Sequence, residues 1–257
     1  MNTNRLILSK ITKKLKRIMH DCINKITGRN ELDQIIDPEI MDDEFYDCIY
    51  KFASNVNLKI FLEIGSSSGN GSSDAFIRGF SSRNDKAEIN FHCIELSTPR
   101  YLRLLKNHQA NSFVKAHNIS SVSSLDFPSI EEVKTFYAHN KTKLNSIDLD
   151  EILRWRQRDI DYIINSGKDF NGIEAIKLQN EIEYFDMVLI DGSEFTGEAE
   201  LNFVIGANVI ALDDTESYKC RAAFVRLEKD SRYDLVAHNP NLRNGFAIFV
   251  KKDSKLS

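Results

Sequence analysis

Apolar residues along this chain fall into two rhythms. Short, nearly unbroken apolar runs occur at Lys59 to Ile64 (KIFLEI), Ile89 to Ile94 (INFHCI), near Ser112 to His117, at Phe185 to Ile190 (FDMVLI) and at Val209 to Leu212 (VIAL). Runs of this length, rich in branched and aromatic residues, predict strands covered on both faces, as in parallel sheets. Between them the spacing changes to threes and fours. Tyr46, Ile49 and Phe52 predict a helix over Phe45 to Ala53, and another follows from about Ser73 to Phe80. Tyr233 to His238 and Phe246 to Lys251 flank NPNLRNG, a turn-rich link that predicts a hairpin. The order implies an α/β fold: a doubly wound, mainly parallel, seven-stranded sheet with an antiparallel C-terminal hairpin.

Two pieces lie outside that alternation. In residues 1–28, Ile7, Ile11, Leu15, Ile18, Cys22 and Ile26 form an apolar stripe that Gly28 would stop, and lysines occupy the other face. Residues 1–56 are therefore read as a basic helical extension and 57–257 as the α/β domain. Residues 127–182 have room for about three helices and are read as a helical cap inserted over the mouth of the site. Ser129 with Glu132 forms a capping box. Asp148 opens a longer helix with Leu149, Ile152, Leu153, Ile160 and Ile163 on one face and Gly167 as its stop. Trp155 sits among Arg154, Arg156 and Arg158, which form a salt-bridged solvent face or, alternatively, a site for an acidic acceptor.

Charge sharpens the contrast between these pieces. The chain carries a net charge of −4, yet residues 1–30 hold eight Lys and Arg against the single acid Asp21. The acidic body argues against nucleic acid as a partner. The basic helix is expected to pack on its own domain or on a partner subunit in a homo-oligomer, with peripheral membrane contact as the alternative. The four cysteines form no CxxC pair and no metal spacing, and no apolar run reaches the length of a membrane span. The start has no signal-like apolar block, so a cytoplasmic location is expected.

Chemistry concentrates where the strands end. FLEIGSSSGNGSS (Phe61 to Ser73) brings an apolar strand into a turn holding Gly65, Gly69 and Gly71, where backbone N–H groups can approach a ligand unobstructed. Glu63 lies just before the turn. Glu95 follows the second strand, where a carboxylate can accept both hydroxyls of a ribose. Asp191 follows the fourth strand, and Asp213 with Asp214 the fifth. GxSxG, P-loop and HExxH motifs are absent, and the six histidines are ungrouped.

Together, ExGxxxGxG at Glu63 to Gly71, Glu95, FDMVLIDGSEF at Phe185 to Phe195 and GANVIALDDT at Gly206 to Thr215 resemble the class I S-adenosylmethionine-dependent methyltransferases. The likeness is to the branch with catechol-type and macrolide-sugar O-methyltransferases, and it covers Lys59 to about Lys251. It implies a Rossmann-like methyltransferase fold. It also implies S-adenosylmethionine held by Glu63, Gly65, Ser66, Gly69, Gly71, Glu95, Asn118 and Asp191, with Asn118 and Ile119 beside the adenine. Asp191, Asp213 and Asp214 would bind a divalent cation, and three carboxylates suit Mg²⁺. The implied reaction is O-methylation of a hydroxyl on a sugar or other small polar acceptor.

The chain departs from the pattern at Glu194, where many relatives place a lysine or histidine as general base. Asp191 and Glu194 are the candidate catalytic residues, and a carboxylate serves as base only with a raised pKa or a metal-activated acceptor. Two other classes compete: a non-catalytic nucleoside-binding scaffold, and a short-chain dehydrogenase. Ser124, Tyr137 and Lys141 have the spacing of the dehydrogenase set, but they precede the fourth strand, whereas that set follows the fifth.

Overall fold

A computed structural model describes residues 30–254, so the basic helix expected within 1–28 lies outside the described residues. Residues 30–35 hold a short 3₁₀ turn, Glu31–Asp33, capped by Asn30. From Ile36 onward the chain forms one unit. Its strands are β1 (Ile60–Ile64), β2 (Asn90–Ile94), β3 (Val114–His117), β4 (Met187–Ile190), β5 (Val209–Asp213), β6 (Tyr233–Asn239) and β7 (Phe246–Lys251). They form one sheet in the order β3-β2-β1-β4-β5-β7-β6. The first five are parallel, and β7 runs antiparallel between β5 and β6. This is the doubly wound, Rossmann-like sheet with a C-terminal antiparallel hairpin that the sequence implies.

The helices are α1 (Glu44–Ala53), α2 (Ser72–Ser81), α3 (Thr98–His108), α4 (Ile130–His139), α5 (Leu149–Ser166), α6 (Gly172–Gln179), α7 (Gly197–Val204) and α8 (Tyr218–Lys229). Alternate residues of each buried strand feed opposite layers. Phe61, Phe91, Met187, Leu189 and Ala211 pack with Phe45, Ile49, Phe76 and Phe80 of α1 and α2. Leu62, Ile64, Val188, Ile190 and Leu212 pack on the other face with Ile173, Ile176, Leu201 and Phe224 of α6, α7 and α8. The first layer is strongly aromatic: Phe61 and Phe80 lie 4.7 Å apart, and Phe80 also meets Phe91 and Phe113 edge-on at 5.4 Å.

Two boundaries differ from the periodicity reading. Helix α1 belongs to the core of the α/β unit, because Phe45, Ile49 and Ala53 are fully buried and Arg83, itself buried, donates to the carbonyls of Ala53 and Leu58. Within 127–182, only α4 and α5 build a cluster of their own, with Val133, Tyr137, Ile152 and Ile163 around Phe127 and Phe195. Helix α6 is the ordinary crossover that returns the chain to β4. Among the described residues no helix is long and apolar enough to cross a membrane.

Phe80→Ala removes the hub of the aromatic layer and is expected to lower unfolding stability by about 3–5 kcal/mol, measured by urea denaturation.

Candidate functional site

The parallel strands place their C-terminal ends side by side, with β1 between β2 and β4 and β4 beside β5. Four loops from these ends build the site. In the first, Glu63 is wholly buried and accepts hydrogen bonds from the Ser72 and Ser73 hydroxyls at 2.6 and 2.5 Å. These serines open α2, so Glu63 holds the turn against the start of that helix. Burial raises its pKa, and the serines act against that shift. Gly65 has φ +85°, and a Cβ there would lie 2.0 Å from the Asp191 carbonyl. Only glycine lets the β1 turn pass that close to the end of β4. At the other end of the turn, His108 Nε2 bonds the Gly69 carbonyl at 2.6 Å. Gly71 sits against Pro38 and Ile40, and Ser66 is buried with its N–H on the Ile94 carbonyl.

Glu95 lies beside this turn. It is buried, its Oε1 accepts from the Ser97 N–H at 2.7 Å, and the Ser67 amide also faces its carboxylate. Burial raises its pKa, opposed by Arg100 and those amides. Asn118 is tied to the Glu95 loop by its side chain. Its amide donates to the carbonyls of Glu95 and Leu96 at 2.9 and 2.8 Å, while its oxygen accepts from Thr98 and Lys168. It braces the loop that carries Glu95.

Asp191, Asp213 and Asp214 converge as their positions predict, with one oxygen from each lying within 4.8 Å of the others. The site also holds two cations that periodicity does not reveal. Lys219 Nζ sits 2.7 Å from Asp191 Oδ1 and 2.7 Å from Asp214 Oδ2. Arg243 Nη2 sits 3.0 Å from Asp213 Oδ1, and its Nη1 pairs with Asp43. Burial pulls the Lys219 pKa down, but the carboxylates of Asp191, Asp214 and Asp213 outweigh it and hold the ammonium charged. Asp214 is lowered despite burial because Lys219 faces it, and Asp213 is pushed up to about 6 by burial and by Asp214. The backbone is strained here too: Ser67, Asp214 and Arg243 have φ of 48°, 57° and 52°.

This arrangement tests the Mg²⁺ expectation. The donor set suits a hard cation in kind. It does not suit one in charge, because Lys219 already bridges two of the carboxylates and Arg243 holds the third. A divalent ion therefore does not fit beside these side chains. The sequence signal that could have exposed Lys219 is Ser217, which caps α8 and so sets Lys219 in its first turn, facing the strand ends.

Glu194 completes the site. Its Oε1 accepts from the Tyr218 N–H at 3.0 Å and the Tyr137 hydroxyl at 3.3 Å, and its Oε2 accepts from the Ser217 hydroxyl at 3.2 Å. Burial pushes its pKa up to about 7; Lys219 pulls it down and Asp214 pushes it further up. Tyr137 thus serves Glu194, while Ser124 bonds Asp169, so the dehydrogenase triplet is not assembled. The arginines around Trp155 are spent within the insertion: Arg154 on Glu151, Arg156 on the Pro128 carbonyl and Arg158 on Asp159.

No family model matches the chain, and no curated protein is similar to it. Among solved structures it is similar to a methyltransferase from Geobacter sulfurreducens, at 11% identity over 95% of this chain and 96% of that one, with a TM-score of 0.45. It is also similar to cofactor-bound Rv0187 from MTB, at 13% identity over 91% and 95% with a TM-score of 0.49. A third is an O-methyltransferase from Bacillus cereus in complex with SAH, at 12% identity over 93% and 91% with a TM-score of 0.47. At such identities the side chains at the strand ends, not the likeness, bear the chemistry.

Glu63→Ala leaves the Ser72 and Ser73 hydroxyls buried without an acceptor, and is expected to cost about 2 kcal/mol or more in a denaturant titration.

Proposed function

We propose that this protein transfers a methyl group from S-adenosylmethionine to a hydroxyl oxygen of a sugar or another small polar metabolite. One juxtaposition carries the reading: a buried carboxylate, Glu95, beside a glycine turn at one strand end, and near-neutral Glu194 with a charged Lys219 at the neighbouring ends. The first half suits a nucleoside, because Glu95 offers acceptor oxygens for vicinal hydroxyls while Gly65 and Ser66 keep side-chain bulk out of the turn. When bound, S-adenosylmethionine supplies a methyl carbon whose bond to sulfur breaks, leaving the electron pair on sulfur, as its bond to the acceptor oxygen forms.

The second half suits the acceptor. An attacking hydroxyl must lose its proton, and a carboxylate with a pKa near 7 is matched to that task. Glu194 takes the proton, while the Tyr137 hydroxyl, the Ser217 hydroxyl and the Tyr218 N–H fix its orientation. Asp191, between the glycine turn and Lys219, orients the ammonium. Divalent-cation assistance by Mg²⁺, which the resemblance implies, is not part of this mechanism, because the carboxylates that would hold the ion are bound to Lys219 and Arg243. The motif likeness to macrolide-sugar enzymes makes sugar hydroxyls the first acceptors to screen, with the demethylated donor followed as product.

Calorimetric titration tests the donor. S-adenosylmethionine is expected to bind, and Glu95→Ala to weaken it tenfold or more, about 1.4 kcal/mol. Binding of NADH without S-adenosylmethionine would overturn the reading. Glu194 must be ionised to act, so kcat/KM is expected to rise with pH through about 7 and level off above it. Glu194→Gln should abolish that limb and lower turnover roughly 10²- to 10⁴-fold while leaving donor affinity unchanged.

A further inference from the structure

In this site the acids that resemble metal ligands already enclose a cation that belongs to the chain. Lys219 Nζ lies at 2.7 Å from both Asp191 Oδ1 and Asp214 Oδ2, joining the ends of β4 and β5 as a bridging ion would. The lysine cannot easily leave. It stands in the first turn of α8, its side chain is 11% exposed, and the helix start is fixed by the Ser217 cap and by the Glu194 contact to the Tyr218 N–H. The third acid is held at 3.0 Å by Arg243, which the β6–β7 turn delivers and Asp43 anchors from the far side. Three carboxylates thus face two fixed positive charges. A divalent ion entering beside them would meet Coulomb repulsion at a few ångströms in a poorly solvated pocket. It would also find one oxygen of each carboxylate already engaged.

An ammonium has three N–H donors, and two of those on Lys219 are directed at Asp191 and Asp214. The third remains for an oxygen at the strand ends. Near it lies a polar atom with no protein partner, the buried Asp214 Oδ1. A hydroxyl group complements the ammonium: its oxygen accepts from Nζ, and it stands within the same set of loops as Glu194.

We propose that Lys219 is the resident cation of this site, taking the place of a divalent metal and holding the acceptor's hydroxyl oxygen through its third N–H. The acceptor half rests on the methyl-transfer reading, whereas the displacement of metal does not. In the step itself the O–H proton passes to Glu194, the oxygen forms its bond to the methyl carbon, and the carbon–sulfur bond breaks with both electrons kept by sulfur. The fixed positive charge of Lys219 favours the oxygen as it gains negative character. It needs no metal to do so.

Mn²⁺, whose binding is read directly by electron paramagnetic resonance, tests the displacement on the full chain. The native protein is expected to show no stoichiometric binding at about 1 mM Mn²⁺, since Lys219 and Arg243 already place two positive charges against the three acids. Lys219→Met empties the bridging position while keeping much of the side chain's bulk. It is expected to gain Mn²⁺ affinity tenfold or more, whereas Lys219→Arg, which keeps the charge, should gain none. Stoichiometric binding to the native protein, or no gain in a folded Lys219→Met, overturns the proposal. Should Lys219→Met fail to fold, the native titration and Lys219→Gln decide in the same way. Methyl transfer by the native protein should be indifferent to chelator, while Lys219→Met should require added Mn²⁺. Loss of native activity on chelation also overturns the proposal. A native protein that binds neither Mn²⁺ nor S-adenosylmethionine would instead sink the methyl-transfer reading and leave the displacement of metal standing.

Discussion

A carboxylate taken out of water must be given a partner or it will not stay charged, and this chain gathers seven of them at the C-terminal ends of its parallel strands and the elements beside them. Each has a dedicated partner. Glu63 has two serines, Glu95 the amide of Ser97, and Glu200 the hydroxyls of Ser121 and Thr196. Glu194 has Tyr137, Ser217 and an amide, while Asp191 and Asp214 share Lys219 and Asp213 takes Arg243. The bonds of Glu194 and the Asp191–Lys219, Asp213–Arg243 and Glu200–Ser121 contacts join elements more than 20 residues apart in sequence. The partners that keep the acids buried are therefore also what fixes α2, α7, α8 and the hairpin turn against the strand ends.

Neutral and charged partners have different consequences. Glu63 and Glu200, met mainly by hydroxyls, have pKa values raised by burial and serve to lock loops. Asp214, met by an ammonium, is held ionised. Glu194 stands between these cases, because burial raises it while Lys219 draws it back, and it comes to rest near neutrality. Asp191 meets the same ammonium, but burial and the neighbouring Asp213 and Asp214 outweigh it and hold its pKa well above the ordinary carboxylate range.

Much of this was legible along the chain because parallel strands buried on both faces read as continuous apolar runs, as β1, β2, β4 and β5 do, while the turn-rich link marked the β6–β7 hairpin. The convergence of Asp191, Asp213 and Asp214 was equally legible, since each follows such a run. Lys219 was not, because a lysine in a polar stretch looks solvated until the register of α8 is known, and that register hangs on the Ser217 cap. The bracing by Asn118 was hidden for a related reason: nothing local shows that the Glu95 and Leu96 carbonyls lie within its reach. Pairwise geometry across long separations is what one-dimensional patterns lack. The crossover helix α6 was hidden inside the insertion because its apolar spacing resembles that of α4 and α5.

The insertion contributes more than a cover. Phe136 and Tyr137 from α4 stack with Tyr218 of α8, and Phe195 closes the same aromatic group beside Glu194. Those rings exclude water from one side of the carboxylate, and desolvation is the largest cause of its raised pKa. Without α4 the same glutamate would lie nearer solvent and behave as an ordinary, weakly basic acid. The insertion therefore sets the basicity of Glu194, and changes to its aromatic residues would move that basicity even where no charged group is altered.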